Sequence, residues 1–117
     1  MGLRTLRLAD EIRDLLASCF VGDRLRDPRL QGISITHVRL SGDLQQATVF
    51  FRVFDPSKLP EIEVALRSCA GYLRTSLSAH IKIRKLPELR FRYDESVEEG
   101  AKIESLLEKI NKDSADE

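Results

Sequence analysis

No apolar run in the chain approaches the roughly twenty residues that a membrane-spanning helix needs. The stretch from Met1 to Asp14 mixes arginines with Asp10, Glu11 and Asp14 and has no apolar core of the signal-peptide kind. A cytoplasmic location is therefore expected. Cysteine is scarce. Cys19 and Cys69 are the only two in 117 residues, and no Cys-x-x-Cys occurs. Each falls in an apolar helical stripe, so both read as small, reduced core side chains, and a cytosolic setting disfavours a disulfide. The two histidines, His37 and His80, lie in different segments without ligand spacing, which argues against structural zinc. There is no Walker A motif and no Rossmann glycine fingerprint, and the paired aromatics of an RRM are missing. Ser34, His37 and Asp43 are the one conceivable triad, but no nucleophile elbow surrounds them. No enzymatic activity, metal or cofactor is expected.

What is present fits one domain with an ordinary core: 42% hydrophobic and 32% charged residues. Nineteen basic and nineteen acidic residues cancel, yet they are unevenly placed. Residues 67–92 carry seven cations and one acid, whereas residues 94–117 carry three cations and nine acids. A basic block thus precedes an acidic end, and this local asymmetry bears on partners more than the net charge does.

Hydrophobic spacing gives the elements. Leu8, Ile12, Leu15, Leu16, Cys19 and Phe20 share one side of a helix over Leu3 to Val21, with Gly22 and Asp23 as its stop. Asp27-Pro28 marks a turn. Ile33 and Ile35 alternate with polar residues, and then Val38 and Leu40 continue in the opposite phase. One strand keeps both sets on one face only with an inserted residue, which predicts a bulge near Thr36-His37. Ser41-Gly42-Asp43 turns the chain into a second strand carrying Ala47, Val49, Phe51 and Val53. A helix starting near Pro60 aligns Ile62, Leu66, Cys69, Leu73 and Leu77. After a connection that ends at Pro87, Leu89, Phe91 and Tyr93 form a third strand. Asp94 to Ile110 reads as a last helix with a stripe of Ile103, Leu106, Leu107 and Ile110, its start crowded by Glu95, Glu98 and Glu99. The hairpin is antiparallel. The helical crossover makes strands two and three parallel, with helices on one face of an α+β layer.

Alternation pushes Arg67, Arg74, Lys82, Arg84, Lys85, Arg90 and Arg92 away from the core positions, which makes them the candidate phosphate-binding residues. A merely solvated surface is the plainer alternative. Phe51, Phe91 and Tyr93 align with the core, while Phe50 and Phe54 fall on the other phase, as a platform for bases or a contact for a partner. Cys69, Ala70 and Gly71 form a small-residue run inside the second helix. Either another backbone packs close there or the helix breaks with a positive φ, exposing a fresh helix N-terminus to an anion.

Several short motifs, in order, resemble the ribosome-binding factor A family of bacteria. They are Arg4-x-x-Arg7-Leu8 with Ile12, then Asp27-Pro28-Arg29-Leu30, then Val38-x-Leu40-Ser41-x-Asp43-Leu44 with Ala47-x-Val49. Gly71-Tyr72-Leu73-Arg74 with Leu77, and Pro87-Glu88-Leu89-x-Phe91 with Tyr93-Asp94, complete the set. The likeness spans roughly residues 3 to 110. It implies a KH-like α+β fold of the second topological type, α-β-β-α(kink)α-β, with a three-stranded sheet covered by helices and a C-terminal helix. Residues 1–112 would be a single RNA-binding domain and 113–117 a frayed acidic tail. As in that family, no Gly-x-x-Gly loop is present. The family's Ala-x-Gly interruption corresponds to Cys69-Ala70-Gly71, a departure at its first position. The resemblance further implies binding to the small (30S) ribosomal subunit and its 16S rRNA. It implies a role in late maturation, pre-rRNA processing and cold adaptation, without a cofactor, by a protein that is monomeric when free. The rival reading is a protein-interaction module that docks through Phe50, Phe54 and the acidic last helix.

Overall fold

The computed structural model describes residues 2–21 and 27–115, with the side chains of 97–99 and 112–115 excepted. The expected helix stop at Gly22 and Asp23 lies outside the described residues. Helix α1 spans Leu3–Cys19, strand β1 Ser34–Leu40, β2 Gln46–Arg52, helix α2 Leu59–Ser78, β3 Glu88–Tyr93 and helix α3 Ser96–Ala115. Short 3-10 turns at Pro28–Leu30 and Pro56–Lys58 precede β1 and α2. Each turn is opened by an aspartate, Asp27 or Asp55, whose carboxylate accepts the backbone N–H of Arg29 or Ser57.

The sheet has the order β1-β2-β3, antiparallel between β1 and β2 and parallel between β2 and β3. This is the α+β arrangement expected from the spacing. The bulge is where the phase change places it. Ile35 pairs with Phe51 and His37 with Phe50, leaving Thr36 as the extra residue. That insertion lets Ile35, Val38 and Leu40 all turn toward the helices. In the hairpin loop Leu44 adopts φ 60°, an uncommon conformation for a non-glycine residue. Asp43 supports the loop by accepting from Ser41 Oγ (2.7 Å) and the Gln45 backbone N–H (3.1 Å).

One face of the sheet is buried. Val38, Leu40, Ala47, Val49, Phe51 and Leu89 pack against Ala9, Ile12, Leu16 and Cys19 of α1 and Ile62, Ala65, Leu66, Leu73 and Leu77 of α2. Neither cysteine is in a disulfide; Cys19 is buried and Cys69 half-buried. Burial pushes the Cys69 thiol up, so it stays protonated.

Two expectations fail. Helix α2 is not interrupted at Cys69-Ala70-Gly71. It runs unbroken from Leu59 to Ser78, and Gly32 is the one glycine with positive φ among the described residues. The helix stays regular because its buried stripe continues on both sides of Gly71, through Leu66 and then Leu73 and Leu77. A methyl group on Gly71 would meet nothing within 4 Å. Gly71→Ala should therefore stabilise the protein by up to about 1 kcal/mol, read as a rise in melting temperature. Second, α3 does not join the layer. Ile103, Leu106, Leu107 and Ile110 are 55–60% exposed. Helices α1 and α2 already fill the apolar face of the sheet, so no core surface is left for α3 to cover. It also continues past Ile110 to Ala115.

Asp94 ties the bulge to the start of α3. Its carboxylate accepts from Thr36 Oγ1 (2.6 Å) and from the Ser96 backbone N–H (2.9 Å). The hydrogen bonding of Ser96, and then that of Thr36, holds its carboxyl down at about 2. A lowered folded pKa adds stability above the unfolded value of about 3.9, and that stability fades as pH falls toward 2. Allowing for solvent screening, the gain is about 1 kcal/mol at neutral pH. Urea melts of the wild type and Asp94→Asn should differ by that much above about pH 5 and converge near pH 2.

Candidate nucleic-acid interface

The seven cations singled out by the spacing do not form one patch. The structure sorts them by the element that carries each. Arg74, on the solvent side of α2, meets Arg84 and Lys85 of the connection around a shallow trough lined also by Gly71, Thr75, Ser78, Ile83 and Leu86. The Arg74 guanidinium donates to the Leu86 carbonyl (3.0 Å), which holds the connection against the helix. Arg74 thus has a structural task as well as a charge. Arg84 and Lys85 are exposed and form no ion pair among the described residues. The trough contains no acidic side chain.

Arg67 lies one step away. With Glu63, Ala70, Glu88, Leu89, Arg90 and Phe91 it lines a groove between α2 and β3. Two carboxylates there offset its two arginines, so the groove is less basic than the trough. Lys82 is exposed on the connection and is brought to neither.

Arg90 and Arg92 alternate away from Leu89, Phe91 and Tyr93, so both lie toward the sheet face that α1 and α2 leave open, with Arg90 at the β3 edge also forming the rim of the groove between α2 and β3. Register places further residues beside them. Arg39 pairs with Thr48 and Thr48 with Arg90 in one row, while His37 pairs with Phe50 and Phe50 with Arg92 in the next. Ser34 pairs with Arg52 in a third. The Arg39 guanidinium lies over the Phe50 ring, 5.2 Å from its centroid, and the His37 ring is 5.9 Å from it. Arg52 lies over the Tyr93 ring at 5.2 Å and donates to the Asp94 carbonyl (2.7 Å). Reasoning from spacing missed Arg39 and Arg52. The available signal was their phase: each alternates away from the core positions of its strand.

The conceivable triad is not assembled. Ser34 opens β1 beside Arg52, His37 faces Phe50, and Asp43 is engaged in the loop beyond the other end of the strand. Among the described residues no group of three His, Cys, Asp or Glu could hold a metal, and no helix is long and apolar enough to cross a membrane. What this arrangement can do is present fixed cations on two surfaces, which is the chemistry of polyanion binding.

Comparison with known proteins bears on the family and the fold. Residues 4–107 match the family model described as ribosome-binding factor A. Ribosome-binding factor A of Dechloromonas aromatica (strain RCB) is 41% identical over 108 residues, spanning 92% of this chain and 87% of that protein. The crystal structure of ribosome-binding factor A from Thermus thermophilus matches with a TM-score of 0.70 at 27% identity, covering 76% of this chain and 93% of that one. A Thermus thermophilus ribosome binding factor A homology model, fitted into the cryo-EM map of a 30S complex with that factor, matches with a TM-score of 0.61 at 26% identity. The match covers 74% of this chain and 91% of that one.

Proposed function

This chain belongs to the ribosome-binding factor A family, and on that footing we propose that it binds the small (30S) ribosomal subunit through 16S rRNA and assists its late maturation. Pre-rRNA processing and adaptation to cold are the processes this would serve. A fitted 30S complex of a relative supports the partner. The observation that carries the RNA contact is the meeting of Arg74, Arg84 and Lys85 around an acid-free trough. Arg67, Lys82, Arg90 and Arg92 lie outside the trough and add cations elsewhere, Arg67 in the neighbouring groove and Arg90 and Arg92 on the open sheet face. The mechanism is binding, without a chemical step: guanidinium and ammonium groups replace the counterions of RNA phosphates, and their release drives association.

Co-sedimentation with free small subunits, mature and immature, tests this. If about five phosphates are neutralised, the logarithm of the binding constant should fall with the logarithm of salt at a slope of roughly −3.5 to −4.5. A flat salt response would contradict phosphate contact. A protein-interaction module is the second reading, and two observations favour it: Phe54 is 94% exposed, and α3 presents an uncovered apolar stripe. That reading requires binding to survive the loss of Arg84 and Lys85.

A further inference from the structure

The open face of the sheet has a composition that solvation alone does not account for. Phe50 stands in the middle strand on the side away from the core, where a polar residue would serve the fold equally well. Around it are Arg39, Arg90 and Arg92, all exposed. None of the three is ion-paired among the described residues. Two carboxylates border this face: Glu88, beyond Arg90 and opposite Gln46, and Asp94, two residues past Arg92, whose carboxylate is already engaged by Thr36 and Ser96. Arginines gathered this way repel one another, and a bound anion relieves that repulsion. Phe50 asks for something planar as well, since the Arg39 guanidinium already covers its ring.

We infer that this face is a stacking site for an unpaired nucleotide, whose base takes the place of the Arg39 guanidinium over Phe50 while Arg90 and Arg92 bind the flanking phosphates. The inference rests on the RNA-binding reading above and adds a second surface with a different ligand chemistry. An exposed cation–π contact is weaker than base–aromatic stacking, so the exchange runs toward the bound base. Displaced from the ring, Arg39 remains on the same face as a third cation for the backbone. His37 stands on the other strand beside Phe50 and widens the aromatic floor. Stacking uses the π-face that every base has, so the site takes single strands with little sequence preference and rejects duplex, whose bases are already stacked.

The test is fluorescence anisotropy with a labelled oligouridine of about eight nucleotides, within the span of single-strand sites, and with a blunt RNA duplex. Both are titrated into the wild type, Phe50→Leu and Phe50→Trp. Leucine keeps the apolar bulk and removes the ring. Tryptophan keeps the ring, and because the chain has no tryptophan of its own, it reports stacking directly. Phe50→Leu should bind oligouridine about five- to a hundredfold more weakly, with duplex binding unchanged and its melting temperature lowered by no more than a few degrees, the loss of the Arg39 contact. Phe50→Trp should bind as the wild type does, with its emission quenched. Wild-type affinity in Phe50→Leu, or an unquenched tryptophan, overturns the stacking site. So does failure to bind oligouridine by a protein that still co-sediments with small subunits, and that result leaves the proposed function standing. Failure with both removes both. Equal competition by polyglutamate for wild type and Phe50→Leu would overturn stacking in favour of an acidic peptide on the arginines.

Discussion

Reversing Arg84 and Lys85 to glutamate together should weaken small-subunit binding by about a hundredfold near 0.1 M salt, with the fold intact. The magnitude follows from counterion release. Each phosphate contact contributes roughly 0.7 to 0.9 to the slope of log affinity against log salt, which near 0.1 M is close to tenfold in affinity. Losing two contacts should flatten the slope by about 1.4 to 1.8, and the new carboxylates add repulsion. Stability should change by less than about 0.5 kcal/mol, because both side chains are exposed and neither forms an ion pair among the described residues. Arg74 is different. Its guanidinium holds the Leu86 carbonyl, so Arg74→Ala would release the connection and confuse a lost charge with a displaced loop. Lys58→Glu is the matching control, since it alters a cation about 20 Å from Gly71 along the axis of α2. A double reversal that still co-sediments with wild-type affinity would move the interface away from the trough, to the open sheet face or the exposed stripe of α3.

The elements were legible in the sequence wherever a periodic apolar set had one solution. The slip from Ile33 and Ile35 to Val38 and Leu40 admitted only an inserted residue, and Thr36 is that residue. Likewise a helix between β2 and β3 compelled a parallel pair. Two features escaped for the same reason: a pattern names an apolar or small face without naming what lies against it. The stripe of α3 has the spacing of a packed helix, yet the sheet had no uncovered apolar face to offer it. The run Cys69-Ala70-Gly71 has the composition of a break, yet the stripe on either side carries the helix through. The candidate site was only partly legible because side-chain facing depends on register. Local alternation assigned Arg90 and Arg92 to the outside. Grouping them with Arg39 and Phe50 requires knowing which residue of β1 lies opposite which of β2, and the bulge shifts that pairing by one position. The cations of the trough come from two segments that a single hydrogen bond, from Arg74 to Leu86, helps bring together.

Phe51→Ala should cost about 3 to 5 kcal/mol, against the roughly 5 to 15 typical of a whole domain, and should leave a protein that is partly unfolded at growth temperature. Phe51 is fully buried in the middle strand. It packs with Leu30, Ile33, Ile62, Ala65 and Leu66, and meets the Tyr93 ring edge-on at 5.9 Å. Truncation would leave a cavity where β2 packs on α2, and the surroundings cannot readily close it, because strands on both sides and a helix above fix its walls. Urea unfolding would show the loss as a lower midpoint at little-changed slope. Phe51→Leu, which keeps most of the volume, should cost well under half as much. The informative comparison is with the adjacent residue. Phe50 has the same side chain one position earlier, on the open face, where its ring meets Arg39 and His37 instead of the core. Phe50→Ala should therefore cost only about 0.5 to 1 kcal/mol, the scale of an exposed cation–π contact. A strand alternates its faces at every residue, so these two costs read the register of β2 directly. If β2 were displaced by one residue against the helices, the large and small effects would change places.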